Sequence, residues 1–165
     1  MINKQPITLF IDADACPVKA EVYRVAERYG LKTYVVSNSF IKVPREKFVH
    51  AVIVAKGQDG ADNWIVEHAQ EASIVVTNDV PLAERIVKKD AIALSPTGRL
   101  FDISSIGHAL ATRNLMENLR EGGMITGGPK PFSPRDRSNF LSALDLAVQR
   151  LKRRGYPIDE VSKNS

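Results

Sequence analysis

A chain of 165 residues, 44% hydrophobic and 25% charged, has the size and composition of one globular domain, which excludes disordered and fibrous classes. The single cysteine, Cys16, excludes an internal disulfide, and no apolar stretch approaches the roughly 20 residues that cross a bilayer. The formal charge of +4 is local: Lys130, Arg135, Arg137, Arg150, Lys152, Arg153 and Arg154 face only Asp136 and Asp145 in their segment.

Ile7 to Ile11 is a short apolar run that reads as a buried strand, and the polar stretch Met1 to Pro6 before it does not resemble a secretory leader, so a cytoplasmic location is expected. A helix is expected from about Pro17 to Tyr29, with Val18, Val22, Val25 and Ala26 on one face and Gly30 as its stop. Leu31 to Ser37 reads as the second strand. Phe40 to Phe48 contains Pro44 and reads as a loop or an edge piece. A third strand is expected over Val49 to Ala55, then a turn at Gly57 to Gly60, a helix from about Ala61 to Gln70 and a strand from Ser73 to Thr77. Another helix, Val80 to Lys89, and a fifth strand, Ala91 to Leu94, complete the alternation. Alternation at this spacing predicts an α/β fold: three layers around a mostly parallel sheet of about five strands.

Ser95-Pro96-Thr97-Gly98 carries the residues of a type I turn. Two additional C-terminal helices are expected beyond it. The first spans about Ile103 to Arg120. The second begins at Ser133 as cap and Pro134 as first helical residue, with an apolar stripe of Phe140, Leu144, Ala147, Val148 and Leu151. A Gly/Pro-rich loop, Gly122 to Phe132, joins them. The domain is expected to occupy residues 1–155, with 156–165 as a flexible tail.

Asp12 and Asp14 follow the first strand, Asp59 and Asp62 the third, and Asp79 the fourth. In a parallel sheet these segments share the carboxyl rim, where α/β proteins place their sites. Asp14, Asp59 and Asp79 each stand where a helix cap is wanted. Asp12 ends an apolar strand ahead of any cap position, where an unpaired buried carboxylate would be costly. Two carboxylates about 5 Å apart repel by about 3 kcal/mol at an effective dielectric near 20. Helix ends supply only about half a positive charge each, so the group as a whole calls for a hard cation with oxygen ligands, Mg²⁺ or Mn²⁺. His50, His68 and His108 have no ligand spacing for zinc, and Cys16, among aspartates, does not read as catalytic. Trp64 and the tyrosines read as core or half-buried packing. The basic run Arg150 to Arg154 reads first as the complement of a helix C-terminus and second as a polyanion contact.

The segments Asp12-Ala13-Asp14-Ala15-Cys16-Pro17-Val18, Gly57-Gln58-Asp59-Gly60-Ala61-Asp62, Thr77-Asn78-Asp79-Val80-Pro81-Leu82-Ala83 and Gly127-Gly128-Pro129-Lys130-Pro131-Phe132-Ser133 closely resemble the YaiI/YqxD family of bacterial proteins. That family is similar in turn to PIN-like nuclease domains, which hold metal with acids at strand-to-helix junctions. The resemblance implies metal ligands at Asp12, Asp79 and Asp62 or Asp59, with Asp12, Asp14, Asp62 and Asp79 as the catalytic set. The glutamate that PIN enzymes commonly carry on a middle helix has no clear counterpart, Glu67 and Glu84 being poor matches.

The leading expectation is therefore a metal-dependent phosphodiesterase that cleaves RNA with an activated water, Asp14 or Asp59 orienting that water. Ser37, Asn38, Thr77 and Asn78 offer hydrogen bonds to substrate, and Lys130, Arg135 and Arg137 offer contacts to the phosphate backbone. A phosphatase of the haloacid dehalogenase type is the alternative, with Asp12 as nucleophile and Lys56 or Lys88 as cation, although Pro17 leaves little room for its flap. A non-catalytic RNA-binding module is the third reading.

Overall fold

The computed structural model describes residues 5–14, 16–54, 60–104, 106–107 and 131–158. Five strands, β1 (Thr8–Asp12), β2 (Lys32–Ser37), β3 (Val49–Ile53), β4 (Ser73–Val76) and β5 (Ile92–Leu94), form one sheet in the order β3-β2-β1-β4-β5. Every pairing in it is parallel. Among the described residues four helices accompany it: α1 (Lys19–Tyr29), α2 (Gly60–His68), α3 (Val80–Lys88) and α4 (Pro134–Arg153).

Alternate residues of each strand feed two cores, as a pleated sheet buried on both faces requires. Leu9, Ile11, Val35, Ile74 and Val76 pack with Val22, Val25 and Ala26 of α1 and Phe140, Leu144 and Val148 of α4. Phe10, Val36, Val75 and Ala93 pack with Ala61 and Ile65 of α2 and Leu82, Ala83 and Ile86 of α3. The three expected layers are present.

The helix ends follow local chemistry. Gly30 closes α1 in the left-handed region at φ 70°, as expected of its position. Ser133 and Asp136 form a reciprocal capping box at the start of α4. The basic residues Arg150, Lys152 and Arg153 fill the last turn of α4, where they complement its dipole. Helix α1 starts two residues later than expected. Val18 is fully buried in a turn conformation, and the Cys16 carbonyl accepts the Lys19 ammonium instead of joining a helical ladder.

No helix bridges β2 and β3. The segment around Pro44 is a loop, and its Ile41 and Val43 cover the α1 face of the sheet in place of helical side chains. The turn at Ser95–Gly98 closes with a 3.0 Å hydrogen bond from the Gly98 N–H to the Ser95 carbonyl. Beyond it, Ile106 N–H donates to the Asp102 carbonyl at 2.9 Å, a first helical turn, while the rest of the expected helix to Arg120 lies outside the described residues. The domain does not stop at residue 155. Tyr156 and Ile158 pack on the larger core, and the Pro157 carbonyl accepts the Ile7 N–H at 2.8 Å. Among the described residues, no helix is long and apolar enough to cross a membrane.

A carboxylate cleft as the candidate functional site

Strand order reverses between β1 and β4: the chain moves from β1 outward to β2 and β3, then returns to β4 on the other side. The loops leaving β1 and β4 therefore diverge, and α/β sheets bind ligands in the crevice this opens at their carboxyl edge. Here the crevice is a polar cleft of about 340 Å³ lined by Asp12, Asp14, Asn38, Asp62, Asn78 and Asp79. No lysine or arginine is among the described residues lining it. All four expected acids that the structure describes are brought to it; the fifth, Asp59, lies outside the described residues, as does Lys130.

Each acid is held differently. Asp12 ends β1, and its Oδ2 accepts the Thr77 hydroxyl at 2.8 Å from the end of β4, 65 residues along the chain. The same Thr77 oxygen accepts the Asp79 N–H at 3.0 Å, so one buried hydroxyl fixes both acids. The Thr77 hydroxyl, expected to offer a hydrogen bond to substrate, is thus engaged with both acids. Asp79 is the N-cap of α3, its Oδ1 accepting the Leu82 N–H at 3.1 Å, with Pro81 in the first turn.

Asp14 does not cap α1, contrary to the expectation for it, because the late start of that helix leaves it upstream of the cap position. Its Oδ1 instead accepts the Ser37 hydroxyl at 3.2 Å, tying β1's loop to the end of β2. Ser37 is fully buried and also accepts the Ser39 N–H, so it too acts inside the scaffold. Asn38 reaches across the rim, where its Oδ1 accepts the Ala61 N–H at 3.1 Å and satisfies one orphan donor of α2. This cap comes from a neighbouring strand end, a long-range contact that sequence spacing does not reveal.

Burial raises the Asp12 carboxyl above its ordinary value, the Thr77 hydrogen bond lowers it, and the charges of Asp79 and Asp14 raise it again. Two like charges therefore stand near Asp12. Among the described residues, however, no three acidic, histidine or cysteine side chains converge on one point as a complete ligand set would. Cys16 is buried and burial raises its thiol, which agrees with an inert role.

The capping and charge roles of Asp79 are separable. Asp79→Ala is expected to cost about 1 kcal/mol of stability through the lost cap, whereas Asp79→Asn keeps the cap and costs a few tenths at most. Urea denaturation of the two variants measures the difference.

The outlying candidates divide. Helix α4 starts beside the start of α1, because the Arg137 guanidinium donates to the Pro17 carbonyl at 2.8 Å and pairs with Glu21 at 3.2 Å. Arg137 is thus engaged within the scaffold, while Arg135, in the same first turn of α4, is exposed. Arg150 to Arg153 lie at the far end of this 20-residue helix, about 30 Å from its start, and not beside the cleft. Lys88 pairs with Glu84 at 2.8 Å in the last turn of α3, at the end remote from Asp79, which removes it as the cation of a phosphatase site. Lys56 lies outside the described residues.

The model of the family described as "Uncharacterized BCR, YaiI/YqxD family" matches residues 10–150, which include every cleft residue. The chain belongs to this family. Its relatives agree over nearly their whole lengths. A UPF0178 protein of Azorhizobium caulinodans is 59% identical over 152 residues, 92% of this chain and 96% of that one. A UPF0178 protein of Bartonella henselae is 61% identical over 148 residues, 90% of this chain and all of that one. One from Brucella ovis is 56% identical over 151 residues, 91% and 94% of the two chains. None of these family names states a reaction or a ligand. No solved structure matches the chain.

Proposed function

We propose that the cleft holds a divalent cation, Mg²⁺ or Mn²⁺, and that the protein is a metal-dependent phosphodiesterase acting on RNA. The observation that carries this reading is the placement of Asp12, Asp14 and Asp79 in one polar cleft at the reversal of strand order. Burial, with the charges of Asp79 and Asp14, raises the Asp12 carboxyl, and no described lysine or arginine lines the cleft.

The donors fit such an ion by their chemistry. They are all oxygen, as hard cations require, with no thiol and no imidazole in the lining. Mg²⁺ commonly takes one or two carboxylates and completes its shell with waters and substrate phosphate, so a convergence of three side chains is not needed. Asp12 and Asp79, fixed together by Thr77, would hold the ion, with water and substrate phosphate completing its shell. A bound ion of this kind polarises a phosphoryl oxygen and makes a coordinated water more acidic.

The remaining groups supply positioning and proton transfer. Asp14, anchored by Ser37, is a carboxylate in reach of the cleft that could accept a proton from the attacking water. Asn78 presents a neutral amide to phosphate oxygens. Arg135, and Lys130 from the adjoining segment, suit the flanking phosphates of a polyanion. RNA is the substrate class suggested by the likeness to PIN-like nucleases. The reading is tested by incubating end-labelled single-stranded RNA with purified protein and Mn²⁺. The expected result is cleavage that chelation stops; its absence at high protein concentration argues for a binding module instead.

A further inference from the structure

A second recess lies on the same face of the sheet as the cleft. Thr8, Phe10 and Asp12 alternate along β1, so all three point to the α2 side, Asp12 at the cleft and Thr8 at the other end. Between α2 and the exposed part of β2 runs a groove of about 280 Å³, with Thr8, Tyr34, Trp64, His68 and Gln70 among its walls. Its rings form a connected series. Phe10 stacks on Tyr34 with centroids 5.2 Å apart, Tyr34 meets Trp64 at 5.7 Å, and Trp64 stacks on His68 at 3.9 Å and 18°. On the other side of Tyr34 stand His50, 5.5 Å away between ring centroids, and the Lys32 ammonium, 5.7 Å from the ring.

Phe10 is buried, and Tyr34 and Trp64 are half-buried against the same core, as expected for them, but core packing does not hold His68. His68 is exposed in the last turn of α2, yet lies flat on the indole, held by a 2.7 Å hydrogen bond between its Nδ1 and the Trp64 carbonyl. The half-buried Tyr34 ring adjoins this stacked pair at 56° to the indole, and exposed Gln5 and Gln70 stand at the groove's border. Burial and the nearby Lys32 charge lower the His50 imidazole below its ordinary value. Flat rings, carboxamides that can read a base edge and one flanking cation are what proteins use to hold unpaired bases.

We infer that this groove stacks an unpaired base of a single-stranded nucleic acid whose backbone runs to the carboxylate cleft. The inference rests on the phosphodiesterase reading for the nature of the polymer and adds where a base is held. Thr8 and Asp12 are four residues apart on β1, about 13 Å. A stacked strand advances about 3.4 Å per nucleotide, so the held base would lie about four nucleotides from the phosphate at the cleft.

Trp64 is the sole tryptophan, so its emission reports on the groove alone. The test titrates an eight-nucleotide single-stranded RNA into the full chain with a chelator present, so that no cleavage occurs, and follows that emission. Saturable quenching is expected. An abasic chain of equal length should give none, and the exposed change His68→Ala should weaken binding roughly 5-fold or more, the lower end of a base-stacking contribution. No quenching, equal quenching by the abasic chain, or full affinity in the folded variant overturns the inference. Metal-dependent cleavage without quenching would sink the groove and leave the cleft reading standing; quenching without cleavage in Mn²⁺ would do the reverse.

Discussion

Asp12→Asn is expected to lower metal-dependent RNA cleavage by on the order of 10³-fold, the rate equivalent of several kcal/mol of lost charge stabilisation. The metal-free protein should meanwhile become no less stable. The substituted amide oxygen can still accept the Thr77 hydroxyl, and the variant removes a charge that faces Asp79 and Asp14. A gain of up to about 1 kcal/mol at pH 7 is the scale of one partly solvated charge pair.

The pH dependence has a defined sign. Because burial and like charges raise the Asp12 carboxyl in the folded state, protonation favours folding. Its contribution is fully present below the unfolded value of about 3.9 and is lost as pH rises through the elevated folded value. Urea denaturation across that range should show this loss in the native chain and not in the variant. At 100 times its dissociation constant, Mn²⁺ should return about 2.7 kcal/mol to the native chain at pH 7. Equal stabilisation of Asp12→Asn would move the ion elsewhere on the protein and remove the support for the proposed chemistry.

Gly98→Ala should destabilise the fold by about 3 kcal/mol, combining left-handed strain with an overpacked contact. Gly98 sits at φ +89°, and an added Cβ would stand 2.7 Å from the Asn139 carbonyl oxygen and 2.8 Å from its carbon. Those atoms belong to the backbone of α4, which cannot rotate away as a side chain would. Relief requires the turn after β5 to lift from the helix, disturbing the Leu94–Leu100 bridge and the fully buried Phe140 beside Asn139. Equilibrium urea unfolding measures the cost. A change under about 0.5 kcal/mol, the range of an ordinary surface substitution, would mean that α4 does not rest on this turn.

Periodicity made the strands and helices legible because both faces of a parallel sheet demand apolar residues. Thus the runs at Ile7–Ile11, Val49–Ile53 and Ser73–Val76 stand out against their flanks. Punctuation residues were equally direct: Gly30, Ser133 with Pro134, and Asp79 with Pro81 do what their positions suggest. The gathering of Asp12, Asp14, Asp62 and Asp79 followed from the common direction of parallel strands.

What escaped were pairings between distant segments. Asp14 has the composition of a cap but serves β2 through Ser37, and Asn38 caps a helix 22 residues beyond it. The aromatic groove draws Phe10, Tyr34, His50, Trp64 and His68 from four elements, and only the Trp64/His68 interval of four carried a local sign. Strand order is likewise a property of the folded sheet.

That order governs how the molecule can be made. The central strand β1 ends at Asp12, yet its partner β4 starts only at Ser73. Parallel neighbours so distant must pay loop-closure entropy before their hydrogen bonds return anything, which slows folding and lengthens exposure of bare edges. Segments β1, α1 and β2 are consecutive and pair locally, but the Asp12–Thr77 contact must wait for a residue 65 positions further along the chain. The acidic crevice therefore depends on this long-range pairing and cannot precede it.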